Sequence, residues 1–450
     1  MNRAPFPARP HALNRLFEAL GDAVVPSSCD LVVLSGKLDL ERLRQAIALA
    51  VRRHANLCRP LSGGAEDPAL PVALHLHRLD SDRAGLVDAH LLGQVWSEPL
   101  DPAGRPVRFH VTETPSRTYL HTVHTHVFAD ATACYTLTGE IAAAYGDLPG
   151  ARQRPSVPAA PLLARVTPLG ERVRHRLRGA LQTARDLATP ARGLALPGSS
   201  SPGRRRLTRL CLEVEETACL RAAARARGCS IHALFQLAFL RTAAEHNARR
   251  GVVRPQLRLW DFFSLRPRLE RGDASYDCLA LVYPVDLDRR WSDAEVLRRC
   301  TEQVRRMRGG ALLDHAFRFE SLLRWTPRPA FMPLWRSLFG SNVVFTNPGV
   351  CPSPLWRFGD VPVLDYTTFP QLFVPADVMF IFSTFRDRLR VLCIHDEQAF
   401  GETLGPALLW PFLQRLGALG GFAIDPVRAV EGFAASWLPP ASASPIRRSA

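Results

Sequence analysis

Four side chains in one short stretch, Tyr119–Ala131 (YLHTVHTHVFADA), could do chemistry: His121, His124, His126 and Asp130. An imidazole titrates near neutrality, so it can take a proton from a hydroxyl or amine while that group attacks an electrophilic carbon. His126 and Asp130 form the pattern H-x-x-x-D. Alone this pattern decides little, because with 14 histidines in 450 residues chance supplies about 0.75 of them per chain. A second chemistry is metal binding. On a strand His124 and His126 share a face, with His121 on the other, and His124, His126 and Asp130 make part of a ligand set for a metal-dependent hydrolase. No third firm ligand completes that set, so the reading assigns no metal.

The elements around this stretch explain how it would be held. Tyr119–Thr125 alternates as a strand, and residues 131–145 (ATACYTLTGEIAAAY) read as a helix closed by Gly146. The H-x-x-x-D pattern therefore falls where a strand ends and a helix begins, a place from which polar groups project into clefts. Upstream, Leu31–Gly36 reads as a strand, and Asp39 can cap a helix with Leu40, Leu43, Ile47, Ala50, Val51 and His54 on one face. Val72–His77 alternates like a further strand.

Residues 149–206 change character. Prolines 149, 155, 158, 161, 168, 190, 197 and 202, together with glycines and a serine run, mark a crossover. Within it Leu169, Val173, Leu177, Ala180, Leu181, Ala184 and Leu187 keep helical spacing beside Arg172, Arg174, Arg176 and Arg178. This is a basic amphipathic helix, either lying on a partner or membrane surface or packed between two domains, the second being the commoner arrangement. From Leu207 a second mixed half begins. Strands are predicted at Leu207–Glu215, Gln256–Phe263, Asp277–Val285 and Asn342–Thr346, the last ended by an Asn347-Pro348-Gly349 turn. Helices follow from Glu216 and from a Ser230 cap, and over 293–325 with a break at Gly309-Gly310. A hairpin turns at Phe385-Arg386-Asp387, and Gly405–Leu419 is a closing helix. The expected division is 1–148, a crossover at 149–206, 207–434, and a disordered tail at 435–450.

Composition narrows the class. The chain is 47% hydrophobic and 22% charged, which excludes fibrous and disordered chains. No run approaches a membrane span, and Arg3, Arg9, His11 and Arg15 interrupt any signal-peptide core, so a cytosolic location is expected. The net charge is +15, yet Lys37 is the one lysine. That bias reads as a GC-rich coding habit, and the bases are spread out, so nucleic-acid binding is not expected. The positive field would still attract coenzyme A phosphates, an acidic carrier protein or an anionic membrane. The ten cysteines form no C-x-x-C pair and read as core residues, Cys134 included.

The sequence resembles the condensation-domain-like acyltransferases of the chloramphenicol acetyltransferase-like, H-x-x-x-D superfamily. Their H-H-x-x-x-D-G motif corresponds to Thr125-His126-Val127-Phe128-Ala129-Asp130-Ala131. Arg53-His54-Ala55-Asn56-Leu57-Cys58-Arg59 resembles the family's R-H-x-x-L-R segment, Phe263-Ser264-Leu265-Arg266-Pro267 its LRP segment, and Asn342–Gly349 its S/T-N-x-G strand. The order of these pieces carries the resemblance. It implies an α/β fold of mixed sheets, with two chloramphenicol acetyltransferase-like subdomains forming a V around a tunnel. It also implies an acyl transfer from a coenzyme A or carrier-protein thioester to an alcohol or amine by direct attack. His126 would be the base, and Asp130 would turn inward to pair with Arg266.

The same resemblance puts Thr125, Ala131 and Asn347 near the substrate. It implies no bound cofactor, the acyl-coenzyme A or phosphopantetheinyl thioester being a co-substrate. An acidic acyl or peptidyl carrier protein and a peripheral membrane contact are the partners to expect. Two departures stand out: Thr125 replaces the first motif histidine, and Ala131 replaces the final glycine, which removes easy access to positive φ and could narrow the cleft near His126. They motivate the rival reading of a catalytically impaired docking module.

Overall fold

The computed structural model describes residues 28–437, apart from 63–64, 84–86, 88–89, 91–98, 160–166, 189–192, 197–204, 270–274, 371, 373–375, 401–402 and 425–434. In chain order the first elements are β1 (Ser28–Leu34), α1 (Leu40–Arg53), β2 (Leu74–Arg78), β3 (Val107–Glu113), β4 (Thr118–His124), α2 (Ala131–Gly146) and α3 (Leu169–Leu187). Next come β5 (Arg205–Cys211), α4 (Val214–Ala226), α5 (Ile231–Arg249), β6 (Gln256–Ser264), β7 (Ala280–Asp288), α6 (Asp293–Arg306), α7 (Leu312–Trp325) and α8 (Arg328–Phe339). The chain continues through β8 (Val343–Val350), β9 (Arg357–Phe358), β10 (Val361–Pro370), β11 (Val378–Phe385), β12 (Arg388–Asp396), α9 (Trp410–Gly420) and β13 (Ala435–Trp437). No helix among the described residues is long and apolar enough to cross a membrane.

Two compact units result, and neither is a continuous half of the chain. The first is Met1–Arg172 with Ser264–Leu281 and Val350–Gln371; the second is Val173–Phe263, Val282–Gly349 and Leu372–Ala450. This corrects the expected division at 148 and 206. The cause is strand pairing. β10 lies antiparallel beside β1, with Ser28 opposite Pro370 and Leu31 opposite Thr367, so a late segment completes the early sheet. The expected crossover is also not one linker, because its helix α3 lies mostly in the second unit; residues 160–166, 189–192 and 197–204 of it lie outside the described residues.

The first unit holds a six-stranded sheet in the order β2-β3-β4-β1-β10-β9. Its pairs are antiparallel except β2 with β3. β1 (SCDLVVL) is buried along its whole length, as expected of a central strand covered on both faces. Asp39 caps α1 by accepting from the backbone N–H groups of Glu41 and Arg42 at 3.0 Å, and Leu43, Ala46, Ile47, Ala50 and Val51 form its buried stripe. α1 is tied to α2 by Arg42, which donates to the carbonyls of Tyr145 and Gly146. Burying such an apolar stripe contributes roughly 1.5–3 kcal/mol per Leu or Ile side chain.

The second unit holds a seven-stranded sheet in the order β13-β5-β12-β11-β8-β6-β7. Its core centres on Phe235, Phe239, Phe345, Phe380, Phe382 and Phe412, with the Phe235 and Phe382 rings stacked at 4.0 Å. The predicted hairpin forms between β11 and β12, and Arg386 and Asp387 both take positive φ, as a two-residue primed turn requires. The break at Gly309-Gly310 is present as a wide turn with Gly310 at φ 131. Three expectations change. β8 runs through Asn347-Pro348-Gly349 to Val350 instead of turning there, with Gly349 at φ 85 absorbing the distortion. Residues 435–437, expected in a disordered tail, pair with β5; the rest of that tail lies outside the described residues. β3, β10 and α8 were not foreseen.

Candidate active site

The sheet of the first unit delivers His126 through a turn. β4 ends at His124, one residue earlier than the alternation suggests, so His126 is not on the strand and does not share a strand face with His124. Thr125 makes the change of direction. Its carbonyl accepts from the Phe128 N–H and its hydroxyl accepts from the Val127 N–H, both at 3.2 Å. The His126 ring folds back on this loop, with Nδ1 2.7 Å from the carbonyl oxygen of Ala129. A carbonyl only accepts, so Nδ1 bears the proton and the basic lone pair belongs to Nε2. His126 is half-buried. Burial lowers its pKa below the ordinary 6.5, opposed by the Ala129 carbonyl and the Asp130 charge. The ring is therefore a neutral base at physiological pH.

Asp130 points the other way, into the unit. It is the N-cap of α2: Oδ1 accepts from the Ala133 N–H at 2.9 Å and from Arg266 Nη2 at 2.8 Å, while Oδ2 accepts from the Leu279 N–H at 2.9 Å. Arg266 also donates to the carbonyls of Ser275 and Asp277, at 3.0 and 2.8 Å. Both side chains are buried, a setting in which an ion pair survives only when its remaining groups are hydrogen-bonded. Neighbouring residues brace the same segment. Asn56 Nδ2 donates to the Tyr276 carbonyl at 2.8 Å and to Asp277 Oδ1 at 2.5 Å. Glu140 of α2 receives Arg53 at 2.6 Å and lies 2.9 Å from His54 Nε2. Arg266 thus holds Asp130 at the end of the loop that carries His126, while Asn56 holds the Tyr276-Asp277 stretch and Arg53 and His54 hold Glu140 of α2.

His124 belongs to a separate buried cluster. Its Nδ1 lies 3.7 Å from Asp30 Oδ2, and its Nε2 lies 3.1 Å from Cys134 Sγ. Thr368 of β10 donates to Asp30 Oδ1 at 2.6 Å. Burial raises Asp30 to about 6, lowers His124 to about 3, and raises Cys134 well above 9.0. The imidazole and the thiol are thus neutral at physiological pH, while the Asp30 carboxyl titrates near pH 6, close to the other two in a hydrogen-bonded core cluster. The thiol is kept protonated, away from the thiolate a nucleophile needs.

The ligand set His124, His126 and Asp130 is not assembled. Both Asp130 oxygens are taken by N–H donors, and the His124 and His126 rings stand edge-on with centroids 6.1 Å apart. Among the described residues the one group with ligand atoms close enough to share an ion is Asp30, His124 and Cys134. Thr125 was placed near the substrate; it is fully buried and its hydroxyl serves the turn. Ala131 is the first residue of α2 and has no positive φ, so alanine for glycine strains nothing there. Asn347 sits on β8 in the second unit, exposed, with Oδ1 accepting from the Gly349 N–H at 3.0 Å.

The residues missed from sequence are Asp30, Thr368 and the bracing role of Asn56. Asp30 did carry a signal, since an acid inside the run Cys29-Asp30-Leu31-Val32-Val33-Leu34 must find a buried partner.

The sequence matches no protein-family model, and no curated protein is significantly similar to it. Solved structures are similar throughout. The first condensation domain of the CDA synthetase superposes with TM-score 0.68 at 19% identity, covering 94% of this chain and 98% of that one. The EpoB NRPS cyclization-docking bidomain from Sorangium cellulosum gives TM-score 0.67 at 19% identity, covering 93% and 86%. Polyketide synthase associated protein 5 from Mycobacterium tuberculosis gives 0.60 at 17% identity, covering 87% and 94%. At these identities the likeness speaks for backbone architecture. The chain has the two-subdomain fold of the condensation domains.

Proposed function

We propose that the protein is an acyltransferase that moves an acyl group from a coenzyme A or carrier-protein thioester to a hydroxyl or amine, with His126 as general base. The observation that carries this reading is the orientation of one ring. Nδ1 of His126 is committed to the Ala129 carbonyl, and that bond fixes Nε2 as the basic nitrogen before any substrate arrives. The step balances without a covalent enzyme intermediate. Nε2 takes the proton of the acceptor as its oxygen or nitrogen bonds to the thioester carbon. The tetrahedral adduct then collapses, breaking the C–S bond, and the imidazolium returns the proton to the departing sulfur.

Asp130 and Arg266 act through the backbone. They anchor the far end of the loop whose near end is the turn at Thr125. The likeness to condensation and cyclization domains supports a condensation-type transfer in biosynthesis of specialised metabolites or lipids. The net charge of +15 supports an anionic donor, either coenzyme A phosphates or an acidic carrier protein, and the reading places the protein in the cytosol. Cys134 has no part, and no metal takes part.

The test is release of thiol from a panel of acyl-coenzyme A and acyl-pantetheine thioesters with alcohol and amine acceptors, with product mass as a second readout. His126→Ala is expected to lower turnover about 10²–10⁴-fold, whereas Cys134→Ala leaves it near wild type. Equal turnover by wild type and His126→Ala rules the base assignment out.

A further inference from the structure

α3 is oriented against its own amphipathicity. The face it turns to the second unit is polar or bare. His175 Nδ1 lies 2.5 Å from Asp314 Oδ1, and its ring stacks on Phe317 at 5.7 Å. Asp186 is buried between Arg318, at 2.6 Å, and Arg258, at 3.3 Å. Gly179 allows the close approach, because a Cβ there would come within 2.7 Å of the Arg318 Cβ. These contacts fix the rotation of the helix about its axis.

The opposite face is apolar and open. Leu169, Val173, Leu177, Leu181 and Leu187 are each between 49% and 68% exposed. With Ala180 and Ala184 they fill a sector about 120° wide along the whole helix, at about 100° per residue. Arginines border this sector. Arg174, Arg178 and Arg185 lie on one side, exposed, and Arg176, half-buried and 3.8 Å from Glu320, lies on the other. Beside Leu181 a cleft of about 230 Å³ opens, lined by Arg178, Arg185 and Arg318 and by Gln182, Tyr283 and His315, with Asp314 held by His175.

We propose that α3 is an interfacial helix that docks the protein on an anionic phospholipid surface, its leucines at the level of the upper acyl chains and its arginines among the phosphates. A flat apolar strip of Leu, Val, Ala and Gly170, bordered by exposed arginines on one side and by Arg176 on the other, fits a bilayer interface. A second copy of the chain fits poorly, since pairing two such strips sets arginine border against arginine border. A single protein partner would be expected to meet an aromatic anchor at the centre of the patch, and the strip has none. The docking is independent of the chemistry at His126.

The experiment is co-sedimentation with vesicles of phosphatidylcholine containing about 30% phosphatidylglycerol, against phosphatidylcholine alone. The wild-type chain should bind the anionic vesicles, release them at high salt and ignore the neutral ones. The double variant Leu177→Glu, Leu181→Glu changes exposed positions only. It should keep the wild-type melting temperature and oligomeric mass and bind at least about tenfold more weakly. Absence of wild-type binding to anionic vesicles at low salt overturns the proposal, as does equal binding by the variant. A wild-type oligomer that the variant splits, with no vesicle binding, also overturns it and assigns the strip to self-association. Retention of an acidic protein without retention on vesicles overturns it in favour of a protein partner.

Discussion

Asp130 and Arg266, 136 positions apart in the chain, share a hydrogen bond of 2.8 Å within the first unit, and both are buried. The carboxylate also caps α2 and accepts the Leu279 amide, and the guanidinium holds two further carbonyls. The pair is thus the junction of a strand-to-helix loop, a helix start and a segment from far downstream.

Removing one member strands the other charge. Asp130→Ala and Arg266→Met should each destabilise the fold by about 3–5 kcal/mol, with about 1 kcal/mol of the Asp130 loss coming from the cap. Urea unfolding of the two single variants and of the Asp130→Ala, Arg266→Met double variant checks this. The double variant should be less destabilised than the sum of the singles, because no buried charge is left uncompensated. Strict additivity would show that the two groups do not interact.

The acid limb of the rate profile follows from His126. Its pKa is lowered from 6.5 by burial, so the basic form persists below the pH at which a free imidazole is half protonated. Transfer should fall as pH drops, and the midpoint of the fall in kcat/KM should lie below 6.5. His126→Gln should abolish the limb along with the rate. A midpoint above 6.5 would mean that the charged ring is stabilised, contrary to its surroundings.

Stability carries its own pH dependence. Burial lowers His121, His124 and His315 from 6.5 to about 3. Between those values the unfolded chain binds protons that the folded chain refuses, so acid favours unfolding by about 1.4 kcal/mol per histidine per pH unit. Asp30 has the opposite sign. Its pKa rises from 3.8 to about 6, so the folded state binds that proton first and gains stability as pH falls through this window. His110, lowered to about 2, and His395, lowered to about 4, act with these three, so five against one gives a net loss. Urea midpoints at about pH 7.5 and about pH 5.5 should differ, the lower pH giving the lower midpoint; an unchanged or higher midpoint contradicts the burial of these rings.

The sequence made the local features readable. The Asp39 and Ser230 caps, the α2 start at Asp130 and the hairpin at Arg386-Asp387 are written in neighbouring residues. The pairing of Asp130 with Arg266 was reachable only through the motif resemblance, since nothing local joins positions 136 apart. β10 was not legible. Pro362 and Pro370 interrupt its pattern, and what makes it a strand is the waiting edge of β1. The Thr368–Asp30 bond, 338 positions apart, was hidden for the same reason. The apparent strand face shared by His124 and His126 failed because Thr125 closes a turn with its own hydroxyl, a competition that alternation cannot reveal.

The discontinuous first unit also sets an order of events during translation. β1, β4 and α2 leave the ribosome early, but the strand that covers the β1 edge is Val361–Pro370 and the cation for Asp130 is at 266. Until those residues emerge, the nascent chain has an open sheet edge and an unneutralised acid. A transcript cut short after the H-x-x-x-D segment should therefore yield an aggregation-prone fragment, and only late in synthesis can the loop bearing His126 settle.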